Sequence, residues 1–173
     1  MARSSLYDVQ GSVVDPAQPW NFDLFFDRLP TGLSGDVRSL TIRCQSTSVP
    51  GASFEAVEVE LHGVKLRFRG KKQYNGTFDV TFAENVDWST YKLFKQWHDL
   101  QLSWQRNTGS SSSVYKVSAT LTTYDDAGNA VMELPIKGVW PENVQDISLD
   151  GSQGGYVQPS ITFSFDYLDE TAL

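Results

Sequence analysis

Glu55-Ala56-Val57-Glu58-Val59-Glu60-Leu61-His62-Gly63-Val64-Lys65-Leu66-Arg67-Phe68-Arg69 decides the fold class. Both halves of this stretch alternate apolar and polar residues with a period of two, the pattern of a strand whose side chains point to opposite faces in turn. His62-Gly63 between them reads as a two-residue hairpin turn, and such a turn fixes the register. Glu60 then stands opposite Lys65 and Glu58 opposite Arg67 on one face, while Val59/Leu66 and Val57/Phe68 pair on the other. Each charged pair contributes only ~0.2–1 kcal/mol, so this pairing sets register more than stability. Arg69, Lys71 and Lys72 have no carboxylate opposite them in this frame.

Working outward, the same period recurs. Trp20 leads into a strand carrying Phe22, Leu24 and Phe26, a second strand spans about 38–46, and Val49-Pro50-Gly51 is a turn. Thr77 to Phe82 alternates again. The period then changes to 3.6: Asp87 or Ser89 can cap a helix with Leu93, Phe94, Trp97, Leu100 and Trp104 on one stripe. Asn107-Thr108-Gly109 and Ser110 to Ser113 read as a flexible loop. Tyr115, Val117, Ala119 and Leu121 form a strand, Asp125 to Asn129 a turn, and Met132, Leu134 and Ile136 the returning strand. Trp140 to Asn143 reads as a further turn, Val144 to Leu149 as a short strand, and Gly151 to Gly155 as a loop. The last strand runs through Ile161, Phe163, Phe165 and Tyr167. The expected architecture is mainly β, an antiparallel sandwich or open barrel of eight or nine strands with one α-helix. Residues 1–18 read as a polar arm and 19–173 as one domain, a size that supports a real core.

Composition narrows the function. Lys+Arg number 14 and Asp+Glu 21, a net charge of 14 − 21 = −7, opposite in sign to a protein that grips nucleic acid through phosphates. Aromatic residues make up 13%, more than one small core needs, and a buried interface would use the excess. The first residues lack the apolar core of a signal peptide, and no apolar run approaches the ~18 residues of a membrane span. Folding in a cytoplasm, without membrane contact, is therefore expected. Cys44, the single cysteine, reads as a buried thiol.

Catalytic chemistry finds no support. His62 and His98 have no Cys or His at metal-ligand spacing, and there is no phosphate loop, dinucleotide fingerprint or Gly-x-Ser-x-Gly elbow. Asp125-Asp126 beside Gly128-Asn129 reads as a hairpin turn before it reads as a calcium loop. Asp23, Asp27 and Asp79 read as solvated strand residues before a hydrolase's acid and base. The five tryptophans would suit a carbohydrate-binding module, but core packing accounts for Trp97, Trp104 and Trp140. The expectation is a protein with no catalytic residue, cofactor or metal.

Ile136-Lys137-Gly138-Val139-Trp140-Pro141-Glu142-Asn143-Val144, followed by Ile147, Leu149-Asp150 and Phe163-Ser164-Phe165-Asp166-Tyr167, resembles the closing third of the tail tube proteins of contractile phages. Asn21-Phe22, Arg43-Cys44-Gln45 before Val49-Pro50-Gly51, and Phe94-Lys95-Gln96-Trp97 agree in order. The resemblance spans roughly 19–168, and Trp97, Gly138, Trp140, Pro141 and Asn143 carry its motifs. It implies a structural subunit whose hexameric rings stack into a tube inside a contractile sheath, a virion tail component assembled in the host cytoplasm. Sheath, baseplate and tape-measure proteins would be its partners, and DNA would pass through without specific binding. The tubes of type VI secretion systems and tailocins are similar in fold and remain the alternative.

Two site expectations follow from that resemblance. The hairpin at 55–70, with Glu58, Glu60, Lys65, Arg67, Arg69, Lys71 and Lys72, is expected to govern contacts between subunits or rings. A conduit that confines DNA without holding it needs a wall poor in cations. Thr77, Asp79 and Thr81, Ser118, Thr120 and Thr122, and Ser160, Thr162, Ser164 and Asp166 form polar strand faces of that kind, with Lys116 the one cation in line with them.

Overall fold

The computed structural model describes residues 17–103, 105–152 and 154–170. Trp104 and all but Ala17 and Gln18 of the expected N-terminal arm lie outside the described residues. The elements in chain order are β1 (Phe22–Phe26), α1 (Val37–Arg43), β2 (Cys44–Thr47), β3 (Ala52–Leu61), β4 (Val64–Tyr74), β5 (Thr77–Phe82), α2 (Ser89–Gln101), β6 (Leu102–Ser103), β7 (Thr108–Gly109), α3 (Ser112–Tyr115), β8 (Val117–Tyr124), β9 (Ala130–Val144), β10 (Ser160–Ser164) and β11 (Tyr167–Leu168). The mainly β, antiparallel expectation holds.

The main sheet runs β1-β8-β9-β10-β5-β2, with β11 added to β9. β1 and β2, at its two ends, approach each other without a ladder joining them among the described residues, so the sheet curls into an open barrel. Its concave side carries Leu24 and Phe26, Phe78, Val80 and Phe82, Val117, Ala119 and Leu121, and Ile161 and Phe163, all buried. The alternation read from these strands is thus the alternation of burial. α2 lays Leu93, Phe94 and Trp97 into the same core. Phe163 is its centre, with its ring 5.5–6.1 Å from those of Phe26, Phe78, Phe94 and Trp97.

Five local readings change. Residues 37–43 are helix, not strand: Asp36 Oδ1 accepts from the Arg38 N–H, and a helical turn buries Leu40 with Val37 against the core while leaving Ile42 out. Alternation over so few residues fits either period. Trp140 to Asn143 is not a turn but the continuation of β9, which accommodates Pro141 beside a bulge where Phe163 pairs with Pro141 and Thr162 with Asn143. Beyond Val144 the segment to Leu149 is not a strand. The region expected to be a flexible loop contains β7, paired with β6, and the start of the short helix α3, and there are three helices rather than one among the described residues. The last strand breaks after Ser164: Tyr167 faces solvent and Leu168 is buried, because the chain bends at Asp166 and re-pairs with β9.

The cap of α2 is also of a different kind. Trp88 occupies the cap position with φ 57°, and Asp87 accepts from the Ser89 N–H. The carboxylate of Glu84 accepts from the N–H groups of Thr90 and Tyr91, at 3.1 and 2.6 Å. It satisfies two donors at the helix start that would otherwise be orphaned, and its negative charge suits that end of the helix dipole.

Candidate assembly interface

β3 and β4 form a two-stranded arm separate from the main sheet. The turn is His62-Gly63, both residues with positive φ (49° and 78°), as a tight hairpin requires. The register is the one read from the sequence: Glu60↔Lys65, Glu58↔Arg67, Val59↔Leu66 and Val57↔Phe68. Glu58 and Arg67 are in contact at 2.7 Å. Every residue from Gly51 to Arg69 is exposed. Val57, Val59, Leu66 and Phe68, one continuous apolar face, are 36–55% exposed. An isolated hairpin is marginal in water, so a face of this kind calls for a partner.

The arm's root is built differently. A bulge interrupts the ladder between Phe54 and Ala56, where Gly70 lies so close to Glu55 that a Cβ would sit 2.8 Å from its carbonyl oxygen. Below it, Lys72 meets Glu170, and this hydrogen bond raises the lysine's pKa above its ordinary value. Lys72 therefore has a partner within the chain, whereas the sequence frame left it without one. The Lys72 ammonium also lies 5.1 Å from the centre of the Tyr74 ring, whose edge contact to Phe165 is 6.3 Å between centres.

The polar faces fall into two groups. β5 and β10 pair Thr81 with Ser160, Asp79 with Thr162 and Thr77 with Ser164, and the Thr162 hydroxyl donates to Asp79 at 2.6 Å. Ser118, Thr120 and Thr122 stand on β8, separated from β10 by β9. Asp166 joins neither group. It sits at the bend after β10, ion-paired to Lys116 at 2.6 Å, so that the cation in line with these faces is neutralised by its own chain.

Asp166 also explains the glycine of the Lys137-Gly138 pair. Gly138 has φ +72°, and a Cβ there would stand 2.1 Å from a carboxylate oxygen of Asp166. The bulge it makes lies where β9 leaves β8 and takes up β10. Trp97 donates its indole N–H to the Tyr115 carbonyl at 2.8 Å, Trp140 meets the Tyr115 ring edge-on, and buried Pro141 offers its carbonyl to Gln101. Asn143 is exposed, paired with Thr162. These motif residues lock α2 and α3 against the bend of β9.

The remaining chemistry-bearing groups have structural surroundings. The Cys44 thiol has its pKa pushed up to about 12, first by burial and then by the charge of Asp23, which makes it a poor nucleophile. Asp125 is held low by hydrogen bonds from Asn129 and closes the β8–β9 turn. No group of three or more His, Cys, Asp or Glu that could hold a metal exists among the described residues. Sequence reasoning missed Glu84 and Glu170. Glu84 lies six residues before its target, outside capping-box spacing, and Glu170 lies 98 residues from Lys72.

Comparison with known proteins agrees with this architecture. The tail tube protein gp19 of Enterobacteria phage T4 is 28% identical over 134 residues, covering 75% of this chain and 81% of the relative, and gp19 of phage T6 gives the same figures. Among solved structures, the sheath–tube complex of an extracellular contractile injection system in its extended state matches with a TM-score of 0.64 at 18% identity, covering 96% and 97% of the two chains. A type six secretion system protein matches with a TM-score of 0.52 at 11% identity, covering 86% and 81%. These two show a shared fold. The model of the phage tail tube protein family matches residues 3–169, nearly the whole length, and the chain belongs to that family of structural tube subunits.

Proposed function

We propose that this protein closes into six-membered rings that stack into the tail tube of a contractile phage, with a sheath outside and the genome passing within. The observation that carries the assembly reading is the arm: a ladder of nine cross-strand pairs whose apolar face is left exposed by the described residues. A neighbouring copy supplies the cover, and symmetric repetition gives each copy the same partner. Arg69 and Lys71 beside that face suit acidic residues of an acidic chain. Residues 19–173 act as one unit, since the buried side chains from Leu24 to Leu168 form one cluster. Docking to baseplate and tape-measure proteins, and assembly in the host cytoplasm, belong to the same reading.

The purified protein should give rings, and tubes at higher concentration, in negative-stain images and in sedimentation, because mass action drives assembly. A lone 19.3 kDa species even beside a baseplate seed would overturn this. Reversing Arg69 and Lys71 together to Glu should block tubes while leaving circular dichroism native. The in-register face of Thr77, Asp79, Thr81, Ser160, Thr162 and Ser164 is our candidate for the lumen wall, with Ser118, Thr120 and Thr122 as its continuation on β8. Thr81→Lys or Thr162→Lys should leave rings intact and slow DNA ejection most at low salt, where phosphate attraction is strongest. Unchanged rates at low salt would place that face elsewhere.

A further inference from the structure

The arm is exposed along its outer length, while its root is held from one side by the chain's last described residues. Segment 165–170 is itself fastened at successive points. The Phe165 N–H donates to the Gly76 carbonyl, Asp166 donates its N–H to Lys137 and pairs with Lys116, Leu168 is buried, and the Asp169 N–H donates to Pro135. From that fixed base Glu170 reaches Lys72, and Phe165 reaches Tyr74. Both targets lie on β4 at the arm's root, between the Gly70 bulge and the Asn75–Gly51 hydrogen bond that ends the ladder.

We propose that Glu170 is a positioning residue for assembly: through Lys72 it holds the arm at the angle at which its apolar face meets the neighbouring copy. This rests on the arm being the docking element. The ladder ends at the Asn75–Gly51 hydrogen bond, is interrupted by the bulge, and is not joined to the main sheet, so backbone pairing alone does not set the angle of the arm to the body. Docking selects the arm orientations that fit the neighbour, and a subunit that already populates them loses less freedom on binding. The Lys72 and Glu170 side chains are 36% and 41% exposed, so the pair's hold is modest, on the order of a two- to fivefold bias in arm orientation.

The test measures arm angle in the unassembled subunit and assembly separately. Spin labels at Glu60→Cys on the arm and Asp126→Cys on the β8–β9 turn, in a Cys44→Ser background because Cys44 is only half-buried, give a distance distribution at subassembly concentration. Glu170→Gln should broaden that distribution and raise the concentration needed for tubes two- to fivefold. The charge-swapped pair Lys72→Glu with Glu170→Lys should restore both. An unchanged distribution in Glu170→Gln overturns the proposal, as does a broadened one that the swapped pair fails to narrow. If the distribution broadens while tube formation is unaffected, Glu170 sets the angle but not assembly, and the proposal fails in that form. Failure of the docking reading shows itself separately, as normal tubes from the Arg69→Glu, Lys71→Glu variant.

Discussion

β3–β4 and β5–β10 are antiparallel pairs written in the same alternating chemistry, yet their apolar faces meet opposite fates. Phe78, Val80, Ile161 and Phe163 are buried to within a few per cent, whereas Val57, Val59, Leu66 and Phe68 stand open. Nothing in the period distinguishes them. The difference lies in what surrounds each pair: β5–β10 has β9, β2 and α2 around it, and the arm is a two-stranded sheet of its own, exposed from Gly51 to Arg69. Alternation announces that a face will be covered, and does not say whether the cover comes from the same chain.

That contrast predicts a ranking of substitutions. Phe163→Ala removes the ring that touches four others and should cost about 3–5 kcal/mol of unfolding free energy, read by urea denaturation of the monomer. Gly138→Ala adds a left-handed backbone penalty to a collision with Asp166 and should cost about 2 kcal/mol; a second change, Asp166→Ala, should recover part of it. Phe68→Ala, on the open face, should move monomer stability by no more than about 0.5 kcal/mol and yet abolish tubes. A monomer loss as large as that of Phe163→Ala would break the comparison. The smallest effect is in acid. Asp125 titrates below its ordinary value because Asn129 holds its charged form. Its contribution is therefore complete above the unfolded value near pH ~3.9 and disappears as pH falls through the lower folded one. Asp125→Asn should flatten that acid limb in thermal melts between pH 5 and pH 2.

Much of this was legible beforehand. The arm's register followed from a two-residue turn, and the core strands from alternation of large apolar groups with small polar ones. The closing third carried enough of a family pattern to point to the family, although Trp140 and Pro141, read as a turn, lie in β9. What escaped shares a physical cause. Residues 37–43 are too few to separate a period of two from 3.6. The bend at Asp166 depends on room made by a glycine 28 positions away, and Glu170 finds Lys72 across most of the chain. Interactions set by tertiary geometry leave no local period to read.

β9 has a mechanical consequence. Its fifteen residues pair with β8 in their first half and with β10 in their last, with β11 alongside near the Gly138 bulge. The two halves of the curled sheet are thus joined by a covalent backbone and not only by hydrogen bonds. Tension along β9 passes from one half to the other through its peptide bonds and must shear many ladder hydrogen bonds together, whereas a sideways pull peels them one at a time. Strand β9 thus acts as a tie between the two halves, with the Gly138 bulge at the point where it passes from one ladder to the other.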